Sequence, residues 1–173
     1  VLQWLAAHPE GKPSRVAVMT NAGYESVVSA DMIEGAVQGA ALDEEGIQAL
    51  EAAIQGNNLA GLVAAHLPLD ITPMADERAY LDCARIVART AADTLVVGDV
   101  PLSKRLETRD ESKMLAFAQE LASIAEESGK RVGVVVEAGS LFEPYRQSFM
   151  KAGLPVFTSM ERALRGLKLI AEM

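Results

Sequence analysis

Two apolar runs limit what this chain can fold into. "DTLVVGDV" (Asp93 to Val100) and "RVGVVVE" (Arg131 to Glu137) place branched apolar residues on consecutive positions, without polar alternation. A strand with one wet face alternates apolar and polar residues. A run that is apolar on successive positions must be buried on both faces, as in a parallel sheet with helices on each side. "RVAVMT" (Arg15 to Thr20) is a third such run, and "LPVFT" (Leu154 to Thr158) a shorter one. "AALD" (Ala40 to Asp43) supplies a possible fifth strand.

The segments between these runs carry helical spacing. From Tyr24 to about Val37, apolar residues fall at Val27, Val28, Met32, Ile33 and Val37. Asp43 can cap a helix through "EEGIQALEAAIQ", and further helices are expected over 76–90, 110–128 (ended by Gly129), 142–153 and 159–173, the last capped by Thr158 or Ser159. The stretch 56–76 reads as irregular. "VLQWLAA" is helical and "HPEGKPS" reads as a linker, so residues 1–14 are expected to be a helix and linker from a preceding domain, and 15–173 one domain. Alternating strands and helices predict an α/β fold. Five strands and no G-x-G-x-x-G fingerprint favour a flavodoxin-like three-layer domain, with a five-stranded, mostly parallel sheet in the order 2-1-3-4-5.

Half the residues are hydrophobic but only 5% are aromatic, so the core must be built from small aliphatic side chains. A net charge of −8 argues against nucleic acid as a partner, and the densest basic stretch, "SKRLETRD", is interrupted by acids. No apolar run reaches transmembrane length, so no membrane partner is expected. The single Cys83 provides no internal disulfide, is placed mid-helix as a core residue, and fits a cytoplasmic location.

In such sheets ligands bind beyond the C-terminal ends of the strands. Asn21-Ala22-Gly23 after the first strand is the leading candidate, because Gly23 permits close backbone approach and the following helix N-terminus attracts anions. A plain strand-to-helix turn is the competing reading, and Glu25 in the first turn opposes an anion. Gly139 and Ser140 form a similar turn crowded by Glu137 and Glu143. Asp99 beside Gly98 is a lone carboxylate and a weak metal ligand, so no metal site is assigned. His8 is expected in solvent and His66 in the irregular stretch. No nucleophile elbow, zinc helix or Walker loop occurs, and no catalytic residue is assigned.

"RVAVMTNAGYESVVSAD", "LPLDITPMADE", "TLVVGDVPLS" and "GVVVEAGSLFEPYRQSFMKAGLPVFTSMERALRGL" occur in the order seen in NDP-forming acyl-CoA synthetases, the ADP-forming acetate–CoA ligases related to succinyl-CoA synthetase. From Arg15 to Leu167 the chain resembles their ligase-CoA domain. The resemblance implies a flavodoxin-like fold and a part in acyl-CoA + NDP + phosphate ⇌ acid + CoA + NTP through a phosphohistidine. That histidine is expected outside this chain, which reads as a segment of a longer synthetase and inactive alone. The implied partners are CoA-binding, phosphohistidine and ATP-grasp domains in the same or another chain. CoA, NDP or NTP, and Mg belong to the whole enzyme, and no cofactor is expected on this domain alone. Asn21, Ala22, Gly23 and Tyr24 are the implied phosphate-facing residues. His66, Asp70, Gly98, Asp99, Gly139 and Ser140 lie in neighbouring loops.

The chain departs from the family where Tyr24 replaces a second Gly. It departs again where Ala65-His66-Leu67-Pro68-Leu69-Asp70 stands for Gly-Asn-Pro-Leu-Asp, and where Gly98-Asp99 stands for Gly-Gly. Two other readings remain: a non-catalytic interaction domain of the same fold, and an independent flavodoxin-like binder of a small ligand.

Overall fold

The computed structural model describes residues 1–8 and 10–173. Pro9, within the expected linker, lies outside the described residues. The strands are β1 (Arg15–Thr20), β2 (Gln38–Gly39), β3 (Leu69–Asp70), β4 (Thr94–Gly98), β5 (Arg131–Val135) and β6 (Val156–Phe157). The helices are α1 (Leu2–Ala7), α2 (Gly23–Met32), α3 (Glu44–Gly56), α4 (Glu77–Val87), α5 (Glu111–Ser128), α6 (Glu143–Lys151) and α7 (Met160–Glu172), with a 3₁₀ turn at Ser140–Phe142. Every strand pair is parallel, and the main path runs β2-β1-β4-β5-β6. This is the flavodoxin-like order expected from the sequence, with one strand added.

The sixth strand arises because two short strands share one edge of β1. β2 pairs with Arg15 and Val16, and β3 with Met19 and Thr20. The second strand was expected over 40–43 and sits at 38–39, where Ala40 N–H closes the ladder on Val16 O at 2.8 Å. β3 falls in the stretch read as irregular. Two residues between Pro68 and Pro73 are too few to show a period, and only their pairing with β1 makes them a strand. α2 ends at Met32 rather than near Val37, and Gly35 follows with φ of +86°.

Alternate residues of the central strands enter two cores. Ala17, Met19, Leu95, Val97, Val132 and Val134 meet α3, α4, α5 and α6, and Cys83 is buried among them. Val16, Val18, Val96 and Val135 meet α1 and α7 on the other face, with Met32 and Ile33 at the end of α2. The expected caps are present at Asp43 and Ser159, whose side chains accept from Gly46 N and Arg162 N, and Gly129 ends α5 at φ +65°. None of the helices is long and apolar enough to cross a membrane among the described residues.

The N-terminal helix packs into this domain. Trp4 is 1% exposed, its indole N–H donates to Ala163 O at 3.0 Å, and its ring lies 5.0 Å from that of Phe157. A Cβ on Gly133 would strike the Trp4 ring, so this strand position needs a glycine to admit the indole. His8 is half-buried rather than solvent-exposed. It lies 6.1 Å from the Trp4 ring, and burial lowers its pKa. Trp4→Ala should destabilise the chain by about 3–5 kcal/mol, the usual cost of removing a buried large aromatic. A urea midpoint unchanged from wild type would show that α1 contributes nothing to the fold.

Candidate functional site

The ladder pairs Thr20 with Asp70 on one side and with Gly98 on the other, so β1, β3 and β4 end level. The loops leaving those ends form a cluster, and the stretch after β5 closes it. Asn21 is buried and its amide is committed to the next loop. Nδ2 donates to Val100 O at 3.1 Å, and Val100 N–H donates to Oδ1 at 2.9 Å. Ala22 is the N-cap of α2, and its N–H donates to the Thr20 hydroxyl at 3.1 Å. An added Cβ on Gly23 would sit 3.1 Å from Asp70 Oδ2, and Asp70 Oδ1 accepts Thr72 N–H at 2.9 Å.

Glu25, expected from its first-turn position to set a charge against an anion at the turn, is not at the surface. It is fully buried and accepts a hydrogen bond from the Thr20 hydroxyl. Its carboxyl lies where a Cβ on Gly98 would be, and Thr20 Oγ1 would be 2.7 Å from that Cβ. Gly98 is therefore required by the Thr20–Glu25 pair that packs on it. Burial, opposed by the Thr20 bond and reinforced by the nearby Glu137 and Asp99, pushes the Glu25 pKa up to about 7.

Asp99 is 1% exposed, not a solvated loop carboxylate. Tyr145 O–H donates to its Oδ2 at 2.6 Å, and burial raises its pKa to about 7 against the effect of that bond. Tyr80 O–H donates to Gly98 O at 3.0 Å. Burial, with Asp99 close by, holds both phenols well above their ordinary range. Tyr24 stands half-exposed at the rim, its phenol raised by burial and by Glu25 and Glu137.

Of the residues singled out in sequence, Asn21, Ala22, Gly23, Tyr24, Asp70, Gly98 and Asp99 come together. Gly139 and Ser140 open the turn after β5 and are exposed. Arg146 ties that turn down through Val136 O at 3.3 Å and Glu143 at 3.1 Å. His66 is exposed, and among the described residues no side-chain hydrogen bond joins it to the cluster. No group of three or more His, Cys, Asp or Glu among the described residues is arranged to hold a metal ion. Thr20, Tyr80 and Tyr145 were not singled out in sequence, and Glu137 was singled out only as crowding the turn after β5. One signal was available: the chain has three tyrosines, and Tyr24, Tyr80 and Tyr145 all converge here.

Apolar side chains are exposed on the same loops: Leu102 after β4, Leu141 after β5, and Tyr24 and Val27 on α2. α2 is inverted relative to an ordinary surface helix. Its buried residues are Glu25 and Ser29, while Tyr24 and Val27 face out.

No family model matches the sequence, and no curated protein matches it. Solved structures do match, over nearly the whole chain. PH0766 from Pyrococcus horikoshii OT3 aligns with a TM-score of 0.78 at 23% identity, over 99% of this chain and 38% of its own. The dinucleotide forming acetyl-coenzyme A synthetase 1 of Ca. Korarchaeum cryptofilum aligns in its apo form with a TM-score of 0.76 at 20% identity, over 97% of this chain and 36% of its own. The same synthetase in complex with phosphate and ADP aligns with a TM-score of 0.75 at 20% identity, over 97% and 35%. The fold is shared with part of an acetyl-coenzyme A synthetase. This chain spans little more than a third of the length of these neighbours.

Asn21→Ala removes both bonds to Val100 and leaves its part-buried N–H and C=O without these partners, which should cost about 1–3 kcal/mol. Faster amide exchange at Val100 should accompany the loss. Unchanged exchange there would mean that the loops are held together by other contacts.

Proposed function

We propose that this chain is the ligase-CoA domain of an NDP-forming acyl-CoA synthetase, serving acyl-CoA + NDP + phosphate ⇌ acid + CoA + NTP without catalysing a step alone. One observation carries the reading. The ordered motifs from Arg15 to Leu167 cover nearly the same stretch that superposes on about a third of a protein named as an acetyl-coenzyme A synthetase. CoA, the nucleotide and Mg would be held by the CoA-binding, phosphohistidine and ATP-grasp domains of the assembled enzyme, in a cytoplasmic setting. The histidine that carries the phosphoryl group would be theirs as well.

In this reading the strand-end face meets the partner domains. The first turn of α2 offers backbone N–H groups at the positive end of a helix dipole, at Gly23 and Tyr24. Asn21 positions that turn by clamping it to Val100, and Asp70 orders the neighbouring loop through Thr72. The turn is compatible with an anion while Glu25 is neutral. Glu137 and Asp70 oppose one.

That acidic surround favours a second reading, a non-catalytic interaction domain. It would use the exposed Tyr24, Val27, Leu102 and Leu141 to hold other domains together. Titrating the chain with inorganic phosphate and separately with CoA, followed by backbone amide NMR, separates the two. The synthetase reading expects Gly23 and Tyr24 to move with phosphate and no amide to saturate with CoA. Silence of both residues at concentrations far above physiological phosphate leaves the interaction domain as the better account.

A further inference from the structure

The loop after β4 carries Lys104, Arg105 and Arg109 close together, in a chain whose net charge is −8. The loop is held in place. Leu106 is buried beneath it, Ser103 Oγ donates to Pro73 O at 2.6 Å, and Arg105 N–H donates to Ser103 Oγ at 3.0 Å. Glu107 N–H donates to the Glu77 carboxylate of α4. The side chains of Lys104 and Arg105 stay exposed, and neither forms an ion pair among the described residues.

Between this loop, α4 and α5 lies an open groove of about 530 Å³, within the size range of small-molecule sites. Its apolar lining comes from Leu81 of α4, Leu106 of the loop, and Ala116 and Phe117 of α5. Its ionic lining is balanced, with Lys104, Arg105 and Lys113 against Glu77, Glu107 and Glu120. The three carboxylates are all engaged. Glu77 takes the Glu107 N–H, and Glu120 pairs with Arg85 at 2.8 Å. Glu107 takes the N–H groups of Arg109 at 2.9 Å and Asp110 at 3.2 Å, and faces Lys113 at 3.8 Å. Lys104 and Arg105 are the lining charges left without a partner among the described residues. The N-terminus of α5 beside the groove adds no anion site, since Asp110 Oδ1 already accepts from Ser112 N–H and Lys113 N–H.

These features select a class of ligand. Two unpaired cations at the rim call for an anion, and the planar fork of a guanidinium suits a carboxylate. The carboxylates around them oppose a polyanion such as a nucleotide. The apolar lining calls for a body that gains by leaving water.

We propose that the groove between α4, α5 and the loop after β4 binds an amphipathic organic monoanion. The ligand is a carboxylic acid whose aliphatic or aryl body lies along Leu81, Leu106, Ala116 and Phe117, while its carboxylate meets Arg105 and Lys104. The site shares no residue with the strand-end cluster of Asn21, Gly23 and Asp99, and it does not rest on the synthetase reading.

The test is a backbone amide NMR titration of this chain at neutral pH with phenylacetate, followed at residues 104–107, 116 and 117. The expected result is saturable movement of these amides, with a dissociation constant on the order of millimolar for so small a ligand. Acetate keeps the charge and lacks the body, and phenylacetamide keeps the body and lacks the charge. Each should bind several-fold more weakly than phenylacetate. Arg105→Gln changes an exposed side chain with no bond in the fold. It should weaken phenylacetate about fivefold and leave the urea midpoint unchanged. Ala116→Gln, at an exposed helix position, sets a larger side chain into the groove and should weaken phenylacetate by a similar factor.

No saturation at these amides up to tens of millimolar, equal binding of phenylacetamide, or an unchanged affinity in both variants would overturn the proposal. So would tighter binding of inorganic pyrophosphate at the same amides. If a variant fails to fold, the comparison of the three ligands on the wild-type chain decides. The amides followed here are not those of Gly23 and Tyr24, so the outcome is separate from that of the phosphate titration.

Discussion

The pairing of β1 with β4 is the constraint on which the rest depends. Five consecutive residues are in register, from Val16 opposite Thr94 to Thr20 opposite Gly98. Both strands are buried on both faces, so each residue is assigned to one core or the other with no freedom to slip. A shift by one residue would exchange Ala17 and Met19 with Val16 and Val18 between the α3–α6 layer and the α1–α7 layer. The same register sets Thr20 beside Gly98, and so brings a carboxyl from α2 against the backbone that leads to Asp99.

Polar groups at that point are handled unevenly. Asn21 satisfies both a carbonyl and an N–H of the adjoining loop, and Tyr80 satisfies Gly98 O, so the backbone that turns away from the sheet is paired. Glu25 and Asp99 each retain a buried oxygen without a partner among the described residues. The hydroxyl donors of Thr20 and Tyr145 favour the charged form of these carboxyls, but burial outweighs them and raises both pKa values to about 7. Buried polar groups left in this state concentrate at sites with a task beyond packing. Here they lie under the end of the sheet where flavodoxin-like domains present their loops.

Much of the fold was legible because the central strands are continuous apolar runs and the helix starts carry their own caps. The weak points were short or context-dependent. β3 has two residues and exists only through its pairing with β1, and β2 lies two residues earlier than its composition suggested. At the candidate site the turn Asn21-Ala22-Gly23 was visible, since Asn and Gly mark such turns locally. Its role was not, because the Asn21 amide is committed to a residue 79 positions away. Glu25 was legible only as a first-turn acid that opposes an anion. Nothing local says that the exposed side of α2 is the one with Tyr24 and Val27 and the buried side the one with Glu25 and Ser29.

By itself, the sequence determined the class of fold: which runs are buried on two faces, where the helices start, and hence a parallel sheet between two helical layers. These are consequences of residue order within a few turns of chain. Only the tertiary structure decided which side chains meet at the strand ends. Burial, and with it the protonation of Glu25 and Asp99, is a property of what surrounds a group. The surroundings of Glu25 come from β1, β4 and the loop after β5, and those of Asp99 from α4 and α6, elements far apart in the chain.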